Sequence, residues 1–427
     1  MPSWHSLPLL VALLAVVLQP GWAHASAQGD SLSQKEDLQN AQRPNPRLRL
    51  LGDWKGTRTD LENAGLKVSP YYNYYFGILT RRGIHRHSGS ADLFFHLDFE
   101  KMGWMAGAES LLQVKSTRGR NVNPEAGALS DPFDDADFDQ LVYIDQFWFQ
   151  KSFLNQKLQL RLGYIDQQTI LDRNLYANAE DRQFMSAFLD NNNAIIPLKI
   201  GLGATLFINS TEWLRLILGT ADADNRVRQA GFNTAFDGFG SLMLYLAADL
   251  KGQWASPKGI PMPGNYRFGI FYDPRKKRVF RSQSPDPDSA ELRGGDVGFY
   301  LSFDQALYRL TEEDPQGLGV FLRFGYRDDE VNQISHFWSA GFQYQGLLPR
   351  RDDDVLGLGF YSAYGSDPFR TYGNSDFVRE TGLELYYNIQ VTPWLTLTPD
   401  VQFIDQPGGL ESVQDVLVFG LRVRVTF

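Results

Sequence analysis

The sequence predicts an all-β chain, a sixteen-stranded antiparallel transmembrane β-barrel preceded by a short helical segment. Three observations predict it. From Leu66 to Phe427 apolar and polar residues alternate with a period of two. Long and short connections alternate along most of that stretch. Aromatic residues gather where the apolar faces end, at Trp213, Tyr272, Tyr326, Trp338 and Trp394, while the polar faces carry charge at Asp98, Arg161, Arg323 and Glu384. A soluble propeller or large sandwich also alternates. It has no need of interfacial aromatic girdles or of charge in mid-strand.

The last segment shows the alternation most clearly. Leu417, Phe419, Leu421, Val423, Val425 and Phe427 are apolar, and Gly420, Arg422, Arg424 and Thr426 lie between them. Successive side chains of a strand point to opposite faces. A strand between lipid and water must therefore read this way. Leu395, Leu397, Val401 and Phe403 repeat the pattern against Thr396, Thr398, Asp400 and Gln402. So do Leu383, Leu385, Tyr387, Ile389 and Val391 against Glu384, Tyr386, Asn388 and Gln390.

Counting backward gives sixteen segments, near 66–80, 90–101, 104–117, 141–153, 156–166, 193–207, 212–221, 239–251, 264–273, 294–305, 317–327, 335–346, 354–364, 379–391, 394–405 and 415–427. Most approach the ~9–11 residues that a tilted strand needs to cross the hydrocarbon. Long connections are expected near 81–89, 118–140, 167–192, 222–238, 274–293, 365–378 and 406–414. Lys101-Met102-Gly103, Leu154-Asn155 and Thr392-Pro393 are short. Outer-membrane barrels have short periplasmic turns and longer external loops, and an even strand count puts both ends of the barrel on the periplasmic side. The short 328–334 loop and the long turns at 252–263 and 306–316 depart from this rule.

Ahead of the barrel, the apolar run Leu7–Leu18 is too short to span a bilayer as a helix. Ala23-His24-Ala25 and Ala25-Ser26-Ala27 are small-x-small cleavage sites, so residues 1–27 read as a signal peptide. Residues 28–46 are a polar lead-in, and 53–65 a short helix closed by Gly65. The expected organisation is signal peptide 1–27, periplasmic segment 28–65 and barrel 66–427.

Composition agrees. The chain has no cysteine, which excludes disulfide scaffolds, thiolate zinc sites and cysteine nucleophiles. Its net charge of −9 argues against a nucleic-acid partner. A mean hydropathy of −0.31 is polar, but lipid-facing and lumen-facing residues cancel in a barrel.

Several stretches resemble the carbohydrate-selective, OprB-like porin family. They are YYNIQVTPWLTLTPDVQFIDQPGG and DVLVFGLRVRVTF near the C-terminus, RDDDVLGLGF at 351–360, and GDWKGTRTDLENAGL at 52–66. In the last of these the family commonly has glycine and an apolar residue at the positions of Lys55 and Thr57. The resemblance implies a sixteen-stranded barrel with a periplasmic N-terminal segment, in the outer membrane of a Gram-negative bacterium. It also implies passive diffusion of glucose and related sugars through a constricted pore. The period-two pattern by itself implies only a barrel wide enough for an aqueous channel.

Selectivity requires a constriction. Loops 118–140 and 167–192 are expected to fold inward. The first contains Asp131, Asp134, Asp135, Asp137 and Asp139, and the second Asp172, Arg173, Glu180, Asp181 and Arg182. Charged groups make strong directional hydrogen bonds to sugar hydroxyls, and aromatic faces cover the pyranose ring. Expected lumen-facing residues are Glu109, Gln113, Lys115, Gln159, Arg161, Tyr300, Arg323, Tyr361, Glu384 and Tyr386, with Arg173 and Arg182 on the inward loop. Weak, dispersed contacts suit a channel that must also release its solute.

Other signals carry less. Asp135-Ala136-Asp137-Phe138-Asp139 starts like a calcium loop, but the sixth and twelfth positions are Gln140 and Gln146, not glycine and glutamate. A looser divalent site in 131–139, or bridging to lipid A phosphates, stays open. His85 and His87 are placed in an early loop, and Arg275-Lys276-Lys277-Arg278 in an external loop, either solvated or in contact with lipopolysaccharide phosphates. GLGATLF and GLGF are strand glycines rather than phosphate cradles. No catalytic constellation, cofactor or metal ligand set is read. His96 faces inward and His336 lies near a strand end, without a serine partner arrangement. A general or anion-preferring porin of the same architecture is the alternative. Partners are expected to be mono- and oligosaccharides and outer-membrane lipid and lipopolysaccharide, and the chain a monomer or homotrimer.

Overall fold

The computed structural model describes residues 48–136, 140–197, 200–223, 242–281 and 291–427. Sixteen strands close into one antiparallel barrel in which each pairs with its neighbours in sequence and the last with the first. They are β1 Leu66–Leu79, β2 Ile84–Asp98, β3 Ala108–Gly119, β4 Gln140–Phe153, β5 Leu158–Asp166, β6 Ile200–Asn209, β7 Leu214–Asp222, β8 Leu242–Ala255, β9 Pro261–Asp273, β10 Asp296–Arg309, β11 Gly317–Arg327, β12 Ile334–Gln345, β13 Val355–Gly365, β14 Arg379–Thr392, β15 Leu395–Asp405 and β16 Val416–Thr426. Every expected segment is a strand. Closure is set by pairs such as Asn73↔Arg424 and Tyr75↔Arg422 between β1 and β16. The predicted signal peptide and polar lead-in lie outside the described residues.

Several boundaries differ from the sequence reading. Residues 81–89 are not a loop, because Thr80–Arg82 forms a tight turn closed by Gly83 and β2 begins at Ile84. His85 and His87 are therefore exposed strand residues, packed beside Phe76 and Tyr74 of β1. β6 begins at Ile200 rather than 193. The turns expected at 252–263 and 306–316 shrink, since β8 reaches Ala255, β9 starts at Pro261 and β10 reaches Arg309. The departures from short-turn spacing come from strands extending beyond their apolar faces.

Alternation is seen directly on β14, where Leu383 and Leu385 are exposed outward while Glu384 and Tyr386 are buried inward. The outward face carries Phe147, Leu162, Leu246, Phe268, Ile270, Leu322, Val401 and Phe419. Trp104, Trp213, Trp254 and Tyr308 are exposed at the short-turn end, and Tyr272 and Tyr326 at the opposite end. These are the aromatic rims of a lipid-embedded barrel.

The N-terminal segment is fastened to the short-turn end. Helix α1 (Thr57–Asn63) follows a turn at Trp54–Gly56. Gly65 reverses the chain into β1 with φ +97°, and a Cβ there would meet Asp98 O at 2.6 Å. Arg58 of α1 is buried and donates to Gly52 O and Phe427 O, each at 3.1 Å, while its guanidinium stacks 4.2 Å over Trp54. Leu50 N donates to Thr426 O at 2.9 Å.

Candidate functional site: the lumen and its inward loops

Two loops from the long-loop end turn into the barrel, as expected. One follows β3 and the other follows β5. They are bonded to each other: Asp134 N donates to Met185 O at 3.0 Å, Ala187 N to Asp131 O at 2.9 Å, and Phe188 N to Ser130 Oγ at 2.9 Å. A loop inside a barrel must satisfy its main-chain polar groups without a ladder. Charged wall residues supply the partners.

Arg323 of β11 has no exposed side-chain surface. It donates to Leu189 O and Asp190 O, each at 2.8 Å, to Ala177 O, and through Nε to Asp172. Glu384 of β14 accepts from Met185 N at 2.7 Å and Ser186 N at 3.0 Å. Glu380 accepts from Leu129 N at 2.6 Å and Ser130 N at 2.9 Å. Arg422 of β16 donates to Glu180 O at 2.8 Å and Gln183 O at 3.0 Å. Arg267 of β9 donates to Ile170 O and pairs with Asp249. The loops are thus clamped to β9, β11, β14 and β16, and through Asp135 and Glu180 also to β1 and β3.

Apolar packing completes the seal. Phe184 meets Tyr386 edge-on with ring centroids 5.0 Å apart, and Phe188 meets Tyr361 at 5.4 Å. Ile195, Leu189, Phe184 and Phe188 share one core with Tyr300, Phe321, Phe337, Tyr361 and Tyr386 of the wall. Glycines let the loop approach. A Cβ on Gly319 would come within 1.9 Å of the Tyr176 ring, and one on Gly359 within 2.7 Å of Phe184. The second of these glycines belongs to the GLGF stretch, so its lack of a side chain serves packing.

The expected lumen residues divide into two groups. Tyr300, Arg323, Tyr361, Glu384 and Tyr386 do face inward, but each is 2% exposed or less. They are corrected from pore-lining groups to the wall behind the loops. Alternation reports which face a side chain takes, not whether a loop covers it. Gln113 and Lys115 are also buried: Gln113 donates to Asp92 and accepts from Gln146, and Lys115 bridges Asp135 at 2.9 Å and Glu180 at 3.0 Å. Glu109, Arg161, Arg173 and Arg182 remain partly exposed.

Glu109 and Arg161 sit on β3 and β5, whereas Arg173 and Arg182 sit on the loop after β5, where Arg182 O accepts from Asn388 of β14 at 2.6 Å. Glu109 anchors a hydrogen-bonded track across four neighbouring strands. His96 Nε2 lies 2.9 Å from Glu109 Oε2, Gln150 Nε2 donates to Glu109 Oε1 at 2.6 Å, and Arg161 Nε donates to Gln150 Oε1 at 3.0 Å. The Arg161 guanidinium stacks 3.9 Å over Trp148. Sequence reasoning placed His96 inward but missed Gln150 and Trp148; their inward position follows from Gln150↔Arg161 and Trp148↔Gly163 pairing. Burial first, then the charge of Arg267, lowers the pKa of Arg173 from the ordinary arginine value, with Asp249 opposing. Arg182 reaches Asp181, which also binds Arg424 at 2.8 Å.

The acidic loop is partly accounted for. Asp135 accepts from Asn73 at 2.9 Å and Tyr75 at 2.7 Å, and Asp131 accepts from Asn121 at 2.7 Å. Asp137 and Asp139 lie outside the described residues. In the basic run, Arg275 and Lys277 are engaged by Asp273, and Lys277 also by Asp296.

Residues 85–427 match the family model of the carbohydrate-selective porin, OprB family. The chain is 24% identical to Porin B of Pseudomonas aeruginosa over 419 residues, covering 88% of this chain and 91% of that protein. It is 22% identical over 421 residues to the putative porin QuiX of Acinetobacter baylyi, covering 88% and 93%. Among solved structures, the high-pH structure of Pseudomonas putida OprB superposes with a TM-score of 0.76 at 22% identity, covering 89% of this chain and 98% of that one.

Proposed function

Because this chain belongs to the OprB family of carbohydrate-selective porins, we propose that sugars of glucose size diffuse through the part of its lumen that the two inward loops leave open. It is an outer-membrane β-barrel channel, and family membership indicates a channel rather than an enzyme. The observation that carries the proposed route is the His96–Glu109–Gln150–Arg161 track, in which acceptors and donors alternate and all but the buried Gln150 are partly exposed. A sugar hydroxyl both donates and accepts, so it can exchange its water partners for this track at little net cost. Binding stays weak enough for release.

Planar-bilayer conductance with glucose, maltose and a non-sugar anion tests the reading. Glucose should block in a concentration-dependent way, and Glu109→Gln should weaken that block several-fold, on the order of 1 kcal/mol for one charged hydrogen bond. The partly exposed Arg161 on the wall and Arg173 on the inward loop favour a second reading, an anion-preferring channel. Block or selective passage by the anion, with no sugar block, would replace the first reading with the second. Contact with lipopolysaccharide and assembly as a monomer or a homotrimer belong to the proposal; crosslinking in native membranes tests the latter.

A further inference from the structure

Where the two inward loops meet, three carboxylates converge. Asp134 comes from the loop after β3, and Glu180 and Asp190 from the loop after β5. One oxygen of each lies within 4.8 Å of the others. Asp190 is 2% exposed. Its Oδ2 accepts from Asn191 Nδ2, but its Oδ1 is sealed from solvent and has no donor. A buried carboxylate oxygen without a partner is costly and requires an explanation. The neighbouring cations do not supply one. Lys115 is shared between Glu180 and Asp135. Arg323 takes the main-chain oxygen of Asp190 rather than its carboxylate. Burial, then the charge of Asp134, pushes the Asp190 carboxyl well above the usual range.

We propose that Asp134, Glu180 and Asp190 form a calcium site that fastens the two inward loops to each other. Oxygen-only ligands select a hard cation, and calcium accepts six to eight oxygens in irregular geometry with mono- or bidentate carboxylates. Magnesium demands a near-ideal octahedron and keeps most of its water. Carboxylates on two separate loops suit the more tolerant ion. A cation would give Asp190 Oδ1 the partner it lacks. A cavity of about 350 Å³ lined by Asp131, Asp134, Phe188, Asn193 and Ile334 reaches the cluster at Asp134. Ile334 opens β12 at the long-loop end, so the cavity lies toward that mouth. The inference goes beyond the sugar reading and does not depend on which solute the channel carries.

The test uses full-length protein in detergent, stripped with a chelator and titrated calorimetrically with calcium chloride or magnesium chloride. Wild type should bind calcium saturably and with one equivalent, at least about tenfold tighter than magnesium. D190N and E180Q should each weaken calcium binding by about tenfold or more, with strand content and heat-modifiable gel mobility intact. Should D190N fail to fold, E180Q decides, because the Glu180 side chain is 32% exposed. Absence of saturable calcium binding by wild type overturns the proposal. So does unchanged binding in folded E180Q. Magnesium binding as tight as calcium overturns the choice of ion. Sugar block measured on the same protein separates failure of this site from failure of the channel reading.

Discussion

The guanidinium of Arg323 lies 3.1 Å from the carboxylate of Asp172, and neither side chain is exposed. One partner belongs to the barrel wall and the other to the inward loop. The pair therefore joins the loop to the wall without taking part in the strand ladder. Removing one member of a buried pair costs about 3–5 kcal/mol, since the other charge is left without compensation. Arg323→Ala should leave the barrel folded but release the loop, raising single-channel conductance and weakening glucose block. Arg323→Lys should fall between, because an ammonium keeps the charge but loses the planar fork that serves several carbonyls. Equal conductance in wild type and Arg323→Ala would remove the clamp from this account.

Glu384 gives a local readout of the same docking. Its two oxygens accept from Met185 N and Ser186 N. Two such main-chain hydrogen bonds together contribute about 1–3 kcal/mol. Glu384→Gln should accelerate amide exchange at Met185 and Ser186 by roughly ten- to a hundredfold, with little change in the β14–β15 ladder. Uniform acceleration across the barrel would mean that the residue supports the wall rather than the loop.

Gly319 and Tyr176 form a steric pair, with the ring occupying the place of a Cβ. Gly319→Ala should displace the Tyr176 segment and widen the channel. The double variant with Tyr176→Ala should recover part of the lost docking, because the obstacle is removed along with its target. Conductance and solute-size cutoff in swelling vesicles check both. Additive effects in the double variant would contradict a direct clash.

Asp135 predicts the acid response of the loop after β3. Burial pushes its carboxyl up, but Lys115, Asn73 and Tyr75 more than offset this and hold it at about 2, below the usual 3.8. A carboxyl lowered by folding contributes stability that is fully present above its unfolded value and is lost as pH falls through its folded value. Its contribution to loop docking should therefore be constant above about pH 4 and disappear toward pH 2. Asp135→Asn should abolish that part of the acid transition. Tyrosine absorbance or exchange of loop amides, followed between these limits, measures it.

The strands were legible wherever they cross between lipid and water. Val416–Thr426 alternates because each neighbour must suit a different solvent. The start of β2 was not legible for the same reason. Ile84-His85-Arg86-His87-Ser88 lies at the rim, where no apolar face is required, and its pairing with β1 through Leu79↔Ile84 leaves no mark in hydropathy. Lumen-facing side chains were likewise identified by parity, as with Glu109 and Glu384. Parity carries no information about coverage, so Tyr361 and Arg323 could be placed on the right face and still be assigned the wrong surroundings. The available signal was small residues at inward positions. Gly319, Gly325 and Gly359 sit where Tyr176, Ile195 and Phe184 press against the wall.

Besides Lys115 of β3, the loop after β5 draws its fastenings from Arg267, Arg323, Glu384 and Arg422, which sit on β9, β11, β14 and β16. Those strands are synthesised after the loop itself, and the last of them closes the barrel against β1. Its full berth consequently exists only once the cylinder is complete. Assembly has an order built into it: enclosure first, narrowing second. A barrel halted between the two steps would be membrane-inserted and correctly paired, yet leaky, so late assembly defects in this chain should register as increased permeability rather than lost protein.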